Sequence, residues 1–219
     1  MEAMTKRITL LILTALTFTS ASVDAQKNNY VAESALDKVY AEMSKYDHMV
    51  LSFDYSLTNK EAKLTQNTSG TIYIQEPKYR LELFESIQLF DGINTYSILP
   101  ENLEVVISAP SPKNNGDEIN PSELFSFYKE GYRIDKGSEV GQERLEVVLY
   151  PIDSNAEIEK VIVLIDLKAN RLISLKQIGF NDTETTITIK GYNTTTPIDQ
   201  KLFAFDRKTF EAKGYYIID

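Results

Sequence analysis

Side chains that could act as nucleophiles, bases or metal ligands are scarce in this sequence. The 219 residues contain no Cys and a single His, His48. The absence of thiols excludes disulfides, thiolate metal sites and cysteine nucleophiles, and one imidazole excludes a multi-histidine metal site. His48 lies between a predicted helix and a predicted strand, where we expect an ordinary junction residue. We therefore expect no catalytic residue, no metal site and no cofactor.

Carboxylates are the remaining candidates for chemistry. The chain has 32 Asp and Glu against 23 Lys and Arg, a net charge of −9. No spacing among them selects a glycosidase pair or a calcium loop, and the common nucleophile, phosphate-loop and dinucleotide motifs are missing. A small carboxylate hydrolase stays open as an alternative, because sequence spacing does not reveal which acids face one another. The acidic balance disfavours nucleic-acid binding, which depends on Lys and Arg.

The first 25 residues have the order of an export signal. Lys6 and Arg7 precede an apolar run over 8–18, and small residues follow it. A membrane-spanning helix needs about 20 apolar residues, so this run is too short to remain in a bilayer, and its order is that of a signal peptide. We predict cleavage before Gln26, which leaves one exported domain over 26–219, and an exported domain without Cys fits a bacterial envelope.

Hydrophobic periodicity assigns the remaining chain to the mainly β class. Apolar residues recur every three or four positions over 31–46, which predicts an amphipathic helix. Nearly everything that follows alternates between apolar and polar residues, with turn residues between the runs. About ten to eleven short strands at this spacing are typical of an antiparallel sandwich or barrel.

A second helix is predicted over 121–130, between strands. An Asn-Pro-Ser-Glu sequence supplies an N-cap and a proline at the first helical position. We expect Leu124, Phe125 and Tyr128 to pack against the mouth of the barrel as a lid, with a satellite of the core as the alternative. Leu124, Phe127 and Tyr128 share one helical face and Phe125 lies to one side, so all four are not expected to point inward together.

Eight apolar or aromatic side chains lie at alternating positions of their predicted strands, and this alternation would place them on one concave apolar face. Such a face either fills with its own side chains or binds an apolar ligand. The predicted cavity residues are Leu51, Phe53, Tyr55, Leu81, Leu83, Ile98, Val147 and Leu149.

Four motifs, in this order, resemble the periplasmic outer-membrane lipoprotein carrier family, LolA. They are Ser69-Gly-Thr-Ile-Tyr-Ile-Gln-Glu-Pro77, Asp91-Gly-Ile-Asn-Thr-Tyr96, Asn120-Pro-Ser-Glu-Leu124 and Phe203-Ala-Phe205. The resemblance implies an unclosed antiparallel half-barrel that is covered by an N-terminal helix and short lid helices. Its apolar interior would hold the acyl chains of a lipoprotein, and the protein would not be an enzyme.

The resemblance also implies partners. The family receives acylated lipoproteins from an inner-membrane ATP-driven complex and delivers them to an outer-membrane acceptor, and we expect this chain to act as a monomer. A related lipid-binding, ligand-binding or sensor domain of the envelope, built on the same half-barrel, is the alternative. One residue departs from the family, because Glu76 stands before Pro77 where well-known members have an Arg that helps hold the lid closed.

Overall fold

The computed structural model describes the backbone of residues 20–109 and 123–219, with side chains from residue 29 onward. The apolar run of the predicted signal peptide and the Asn-Pro-Ser start of the predicted lid helix lie outside these residues. In the part of the chain that is described, no helix combines the length and apolarity needed to cross a bilayer.

The first helix, α1 (Ser20–Met43), begins further upstream than the predicted range of 31–46 and ends earlier. The chain directly after α1 forms a tighter turn of the 3-10 type, because the amides of Lys45 and Tyr46 donate to carbonyls three residues back, at 3.3 and 3.1 Å. The buried residues of α1 recur at three- and four-residue intervals and form one stripe. They are Ala32, Ala35, Leu36, Val39 and Met43.

Twelve strands follow within the described residues and form a single sheet. They are β1 (Met49–Asn59), β2 (Leu64–Gln75), β3 (Lys78–Leu83), β4 (Ser86–Phe90), β5 (Thr95–Leu99), β6 (Glu104–Ser108), β7 (Tyr132–Glu139), β8 (Arg144–Pro151), β9 (Ile158–Asp166), β10 (Arg171–Gly179), β11 (Thr183–Asn193) and β12 (Tyr216–Ile218).

The sheet is open and runs in the order β12-β6-β5-β4-β3-β2-β1-β11-β10-β9-β8-β7. All neighbours are antiparallel except β12, which pairs with β6 in parallel. The predicted mainly β class and unclosed antiparallel sheet are confirmed. The strand that sequence periodicity did not predict is β7, at one edge of the sheet.

The inner face, defined as the face beneath α1, carries the larger apolar cluster. Helix α1 contacts β7, β8, β9 and β10. Residues that pair directly across two strands lie on the same face of a sheet. Leu51 pairs with Ile72 on β2 and with Tyr192 on β11, so these three residues extend the inner face across the middle of the sheet. The buried strand residues of the cluster are Met49, Leu51, Phe53, Ile72, Ile74, Leu145, Val147, Leu149, Ile158, Val161, Val163, Ile165, Leu172 and Leu175.

A second cluster covers β3 to β6 on the opposite, outer face. Its buried members are Leu89, Tyr96, Ile98, Val105 and Phe203. The C-terminal strap, residues 198–215, packs over them and contains a 3-10 turn (Gln200–Phe203) and helix α2 (Arg207–Ala212). Its Phe205 ring stacks on Tyr96 with centroids 4.5 Å apart and on Phe210 with centroids 5.1 Å apart. Both faces of the sheet are therefore stabilised by apolar contacts.

Candidate ligand-binding site

Seven of the eight predicted cavity residues lie on the inner face. Leu51, Phe53, Val147 and Leu149 are buried members of the larger cluster. The partly buried Tyr55, Leu81 and Leu83 pack against it. The structure therefore brings side chains from β1, β3 and β8 onto one apolar surface under α1 and its neighbours.

Ile98 is on the other face, and its assignment to the cavity was wrong. It pairs with Val105 and with Ile87, and Ile87 in turn pairs with Glu82, the residue after Leu81 on β3. Because consecutive residues of a strand point to opposite faces, Ile98 lies opposite the Leu81 side and belongs to the outer cluster. The alternation of inward and outward residues within β5 was predicted correctly. Which face of the sheet each residue occupies depends on how β5 pairs with β4, and that register cannot be predicted from sequence.

The described part of the predicted lid helix, residues 123–130, is here called the lid segment. It is a series of turns that ends in a 3-10 helix (Phe127–Lys129), not the continuous α-helix predicted over 121–130. Its amides donate three residues back, from Ser126 to Glu123 at 2.8 Å and from Lys129 to Ser126 at 3.0 Å. Gly131 follows with a φ of 84° and ends the segment as predicted.

The lid segment fills the space between α1 and the inner face. Phe127 and Tyr128 are buried, and Leu124 and Phe125 are half-buried against the same cluster. All four pack toward the core, contrary to the prediction from α-helical geometry, because the tighter turn does not separate Phe125 from the others. The cavity left among them is only about 10 Å³, roughly the space of one water molecule. Among the described residues, the space between α1, the lid segment and the inner face is therefore filled by the protein's own side chains.

Polar contacts also join the lid segment to α1. The hydroxyl of Tyr128 donates to Oδ1 of Asp37 at 2.6 Å, and the ammonium of Lys129 lies 3.1 Å from the centroid of the Tyr40 ring. Burial, followed by the hydrogen bond to the Asp37 carboxylate, raises the pKa of Tyr128 above its ordinary value. Sequence reasoning missed Asp37 and Tyr40, since no local pattern links residues so far apart in the chain.

A cavity of about 470 Å³ opens beside the lid segment, at the C-terminal end of α1. Its size falls within the range of small-molecule sites. Apolar side chains from three elements and the lid segment meet polar side chains there, and we call this space the mouth cavity. Its lining residues are Tyr40, Met43, Ser44, Tyr46, Asp47, His48, Met49, Ile74, Gln75, Glu76, Phe125 and Ser126.

Glu76 lines the mouth cavity at the position of the family arginine. Of its two basic neighbours in sequence, Arg80 lies on the outer face, where its Nε donates to Glu82 at 2.7 Å and its Nη1 to the carbonyl of Leu202 at 3.5 Å. Lys78 approaches the turn at Gly92, since its Cε would lie 3.9 Å from a Cβ there. Neither base is directed to the lid segment, which α1 holds through Asp37 and Tyr40 instead.

His48 also lines the mouth cavity, a position that the sequence did not predict. Its Nε2 is shielded from solvent and has no hydrogen-bond partner. Among the described residues no carboxylate bonds the ring, so none of them orients His48 as a general base. Among residues 29–109 and 123–219, no group of three or more His, Asp and Glu is placed to hold a metal ion.

A wider depression of about 1130 Å³ lies mainly on the outer face, between β1, β2 and β3. Most of its lining is polar, and the Ser69 hydroxyl donates to Asp54 at 2.9 Å there. That hydrogen bond and the nearby Lys190 ammonium hold the pKa of Asp54 below its ordinary value. A polar, hydrated wall of this kind cannot shield an acyl chain, so the inner face is the candidate site.

No family model and no curated protein sequence matches this chain. Solved structures do match. A crystal structure of an uncharacterized conserved protein from Thermus thermophilus superposes with a TM-score of 0.51 at 10% identity, covering 81% of this chain and 95% of that one. The fold is LolA-like.

Two further matches have descriptions that name the LolA superfamily or outer membrane lipoprotein sorting. A LolA superfamily protein from Nitrosomonas europaea has a TM-score of 0.45 at 10% identity, covering 80% of this chain and 97% of that one. An outer membrane lipoprotein-sorting protein domain from Vibrio parahaemolyticus has a TM-score of 0.46 at 13% identity, covering 82% and 99%. At these identities the LolA-like similarity concerns the fold, and what the site does must be argued from its own residues.

Proposed function

We propose that this chain is a periplasmic carrier that shields the acyl chains of lipoproteins on the inner face of the half-barrel. It would take its cargo from an inner-membrane ATP-driven complex and release it to an outer-membrane acceptor. The observation that carries the proposal is the lid segment, whose aromatic side chains fill an otherwise continuous apolar surface. A lid of this kind is the element that an acyl chain would displace.

The need for a carrier follows from the cost of exposing acyl chains to water. Each CH₂ transferred from water to an apolar environment gains about 0.8 kcal/mol, so a lipid anchor of many CH₂ groups does not leave a membrane unaided. Walls of Leu, Ile, Val and Phe exclude water from such a chain without fixing its length. We infer that the inner face selects for acyl character and has little preference among chain lengths.

Release is assisted by the protein's own side chains. In the closed structure Phe127 and Tyr128 occupy the space under α1, and burying a side chain of this size is worth roughly 1.5–3 kcal/mol. A bound acyl chain must offset that gain to keep the lid segment open. Expelling the chain returns the aromatic side chains to the core, so binding is weakened enough for transfer, and no covalent step is needed.

The decisive experiment is mass spectrometry of the protein purified in native form from the periplasm of its own host. We expect co-purifying lipoprotein or acyl lipid, and we expect N-terminal sequencing to begin at Gln26. The matched control is the variant Leu51→Glu, which places a carboxylate at a fully buried position of the inner face. A folded wild-type protein that carries neither lipid nor lipoprotein contradicts the proposal and favours a sensor domain with another ligand.

A further inference from the structure

The mouth cavity has two parts of opposite character. Met43, Met49 and Ile74 are buried at its base, where they continue the apolar inner face. Two exposed carboxylates, Asp47 and Glu76, line its opening to solvent. An occupant that matches both parts is amphiphilic, with its apolar chain inward and its polar head at the opening.

Among the described residues, the charges at this opening are all of one sign, because no Lys or Arg of that part of the chain lines the mouth cavity. The side chains of Asp47 and Glu76 make no hydrogen bond and no ion pair with any described residue. The nearby bases are engaged elsewhere: Lys45 bonds Glu42 at 2.6 Å, and Lys129 lies on the ring of Tyr40. The two carboxylates are therefore uncompensated.

A further feature of the mouth cavity favours a positive charge. The cavity is at the C-terminal end of α1, where the aligned peptide dipoles present partial negative charge, and the last turn of this helix contains no basic residue. Carboxylates and helix end thus act in the same direction.

We propose that the mouth cavity selects amphiphiles whose acyl or alkyl chain is followed by a cationic head. This inference rests on the proposed function and names the class of ligand for the same site. Two molecules supply this chemistry: a lipid with an amine or ammonium head, and an acylated peptide with a Lys next to the acylated residue. An anionic head is disfavoured by repulsion from both carboxylates.

The test compares probes that share a twelve-carbon chain and differ in the head. Dodecyltrimethylammonium, dodecyl maltoside and dodecyl sulfate are titrated below their micelle concentrations, together with lauroyl-Ser-Lys amide and lauroyl-Ser-Glu amide. Because both carboxylates are exposed, we expect a preference of about two- to fivefold for cationic over neutral heads at low salt. The ratio of the affinities for cationic and neutral heads should decrease in 0.5 M NaCl, because salt screens exposed charges.

Three variants make the assignment specific. Glu76→Gln should reduce the preference, and Glu76→Arg should abolish or reverse it, while the affinity for dodecyl maltoside stays within about twofold. Glu61→Gln makes the same charge change on the exposed turn between β1 and β2 and should leave the preference intact. If the cationic preference appears only between dodecyltrimethylammonium and the neutral probe, the ligand is a lipid with a cationic head. If it appears only between lauroyl-Ser-Lys amide and lauroyl-Ser-Glu amide, the ligand is an acylated peptide.

The two proposals fail in different ways. Equal affinity for cationic, neutral and anionic heads overturns the head-group selectivity but leaves acyl binding standing. No measurable binding of any probe by the folded protein overturns the proposed function itself. Tighter binding of dodecyl sulfate than of dodecyltrimethylammonium also overturns the charge argument.

Discussion

The hydroxyl of Tyr128 in the lid segment donates a 2.6 Å hydrogen bond to the carboxylate of Asp37 on α1. Tyr128 is 3% exposed, so one atom at the tip of a buried ring connects the element that fills the inner face to the helix that covers it. This contact is the polar component of closure, and the apolar component is the packing of the ring. The two components can be separated by substitution.

Tyr128→Phe keeps the ring and removes the hydrogen bond. We expect the closed state to lose about 0.5–1.5 kcal/mol relative to the open state, so the lid segment should open more often and an acyl probe should bind faster. Stopped-flow binding of a fluorescent fatty acid measures the rate. Tyr216→Phe, at an exposed position on the edge strand β12, is the control. A double-mutant cycle with Asp37→Ala should show coupling, and additive effects would exclude the contact as the cause.

Phe125→Ser with Tyr128→Ser tests the apolar component. The double variant should weaken closure and change lipoprotein transfer while the strands stay folded, because each such side chain contributes roughly 1.5–3 kcal/mol of burial. The measurement is transfer from loaded carrier to an outer-membrane acceptor, with circular dichroism as the folding control. Transfer and lipid binding equal to wild type would show that the lid segment is a satellite of the core with no role in cargo release.

Alkaline pH should destabilise the protein partly through two tyrosines. Burial raises the pKa of Tyr128 and of Tyr192, whose hydroxyl donates to the carbonyl of Leu172 at 2.7 Å. The unfolded chain loses these protons near pH 10 and the folded protein retains them. The contribution of each raised pKa to the free energy of unfolding is therefore fully present below about pH 10. It is lost as pH rises above that value, by at most about 1.4 kcal/mol per pH unit for each tyrosine.

Urea unfolding between pH 9 and 11.5 measures this dependence. Tyr192→Phe and Tyr128→Phe should each flatten the decline, and Tyr216→Phe should not, since that ring is exposed. An alkaline slope that neither variant changes would show that these hydroxyls ionise equally in the folded and unfolded states.

Gly70→Ala should destabilise the sheet at the centre of the inner face. A Cβ on Gly70 would lie 2.4 Å from the Phe53 ring and 2.9 Å from the carbonyl oxygen of Glu82, so the ring must move. Overpacking of this kind costs typically 1–3 kcal/mol, which urea unfolding detects as a lower midpoint. Thr65→Ala, at an exposed position of the same strand, should change the free energy of unfolding by less than about 0.5 kcal/mol.

A second change tests the cause. Phe53→Leu in the Gly70→Ala background should recover part of the loss, because the shorter side chain leaves room for the new methyl group. If the losses of stability caused by Gly70→Ala and by Phe53→Leu simply add, the Phe53 ring is not the group that clashes and the Glu82 carbonyl is responsible.

His48→Ala should leave transfer of lipoproteins intact. Moving a lipid from one apolar surface to another breaks no bond and needs no base, and His48 has no oriented partner in the structure. The transfer assay used for the lid variants applies, with thermal unfolding as the control for folding. Complete loss of transfer in a folded His48→Ala protein would contradict a non-catalytic carrier.

Much of the fold was predictable because strong apolar alternation specifies strands. The long runs around Leu51 and Val163 predicted strands, and Asp91-Gly92 predicted a hairpin that forms with Gly92 at a φ of 101°. Strand β7 was missed because only Tyr132 and Ile134 alternate within it. As an edge strand it is paired on one side and is partly covered by α1, so its sequence needs less apolar character.

The candidate site was less predictable, for reasons of register and long-range contact. Ile98 has the right alternation but lies on the outer face, because pairing across β3 to β5 sets the face and no local signal specifies that pairing. The lid segment was predicted as an α-helix from its caps, yet tertiary packing of Phe127 and Tyr128 favours a tighter turn. The partner of Tyr128 on α1 lies far away in sequence, and only the folded chain brings it close.

The outer cluster beneath the C-terminal strap gives the molecule two regions of different local stability. Opening of the lid segment, as proposed, would expose the inner face, while the stacked rings of Tyr96, Phe205 and Phe210 on the other face would keep their contacts. Amide hydrogen exchange should therefore report two classes of protons. Amides of the lid segment should exchange through frequent local opening, and those of β5 should exchange only when the whole chain unfolds, so that the proposed carrier would empty and refill without approaching denaturation.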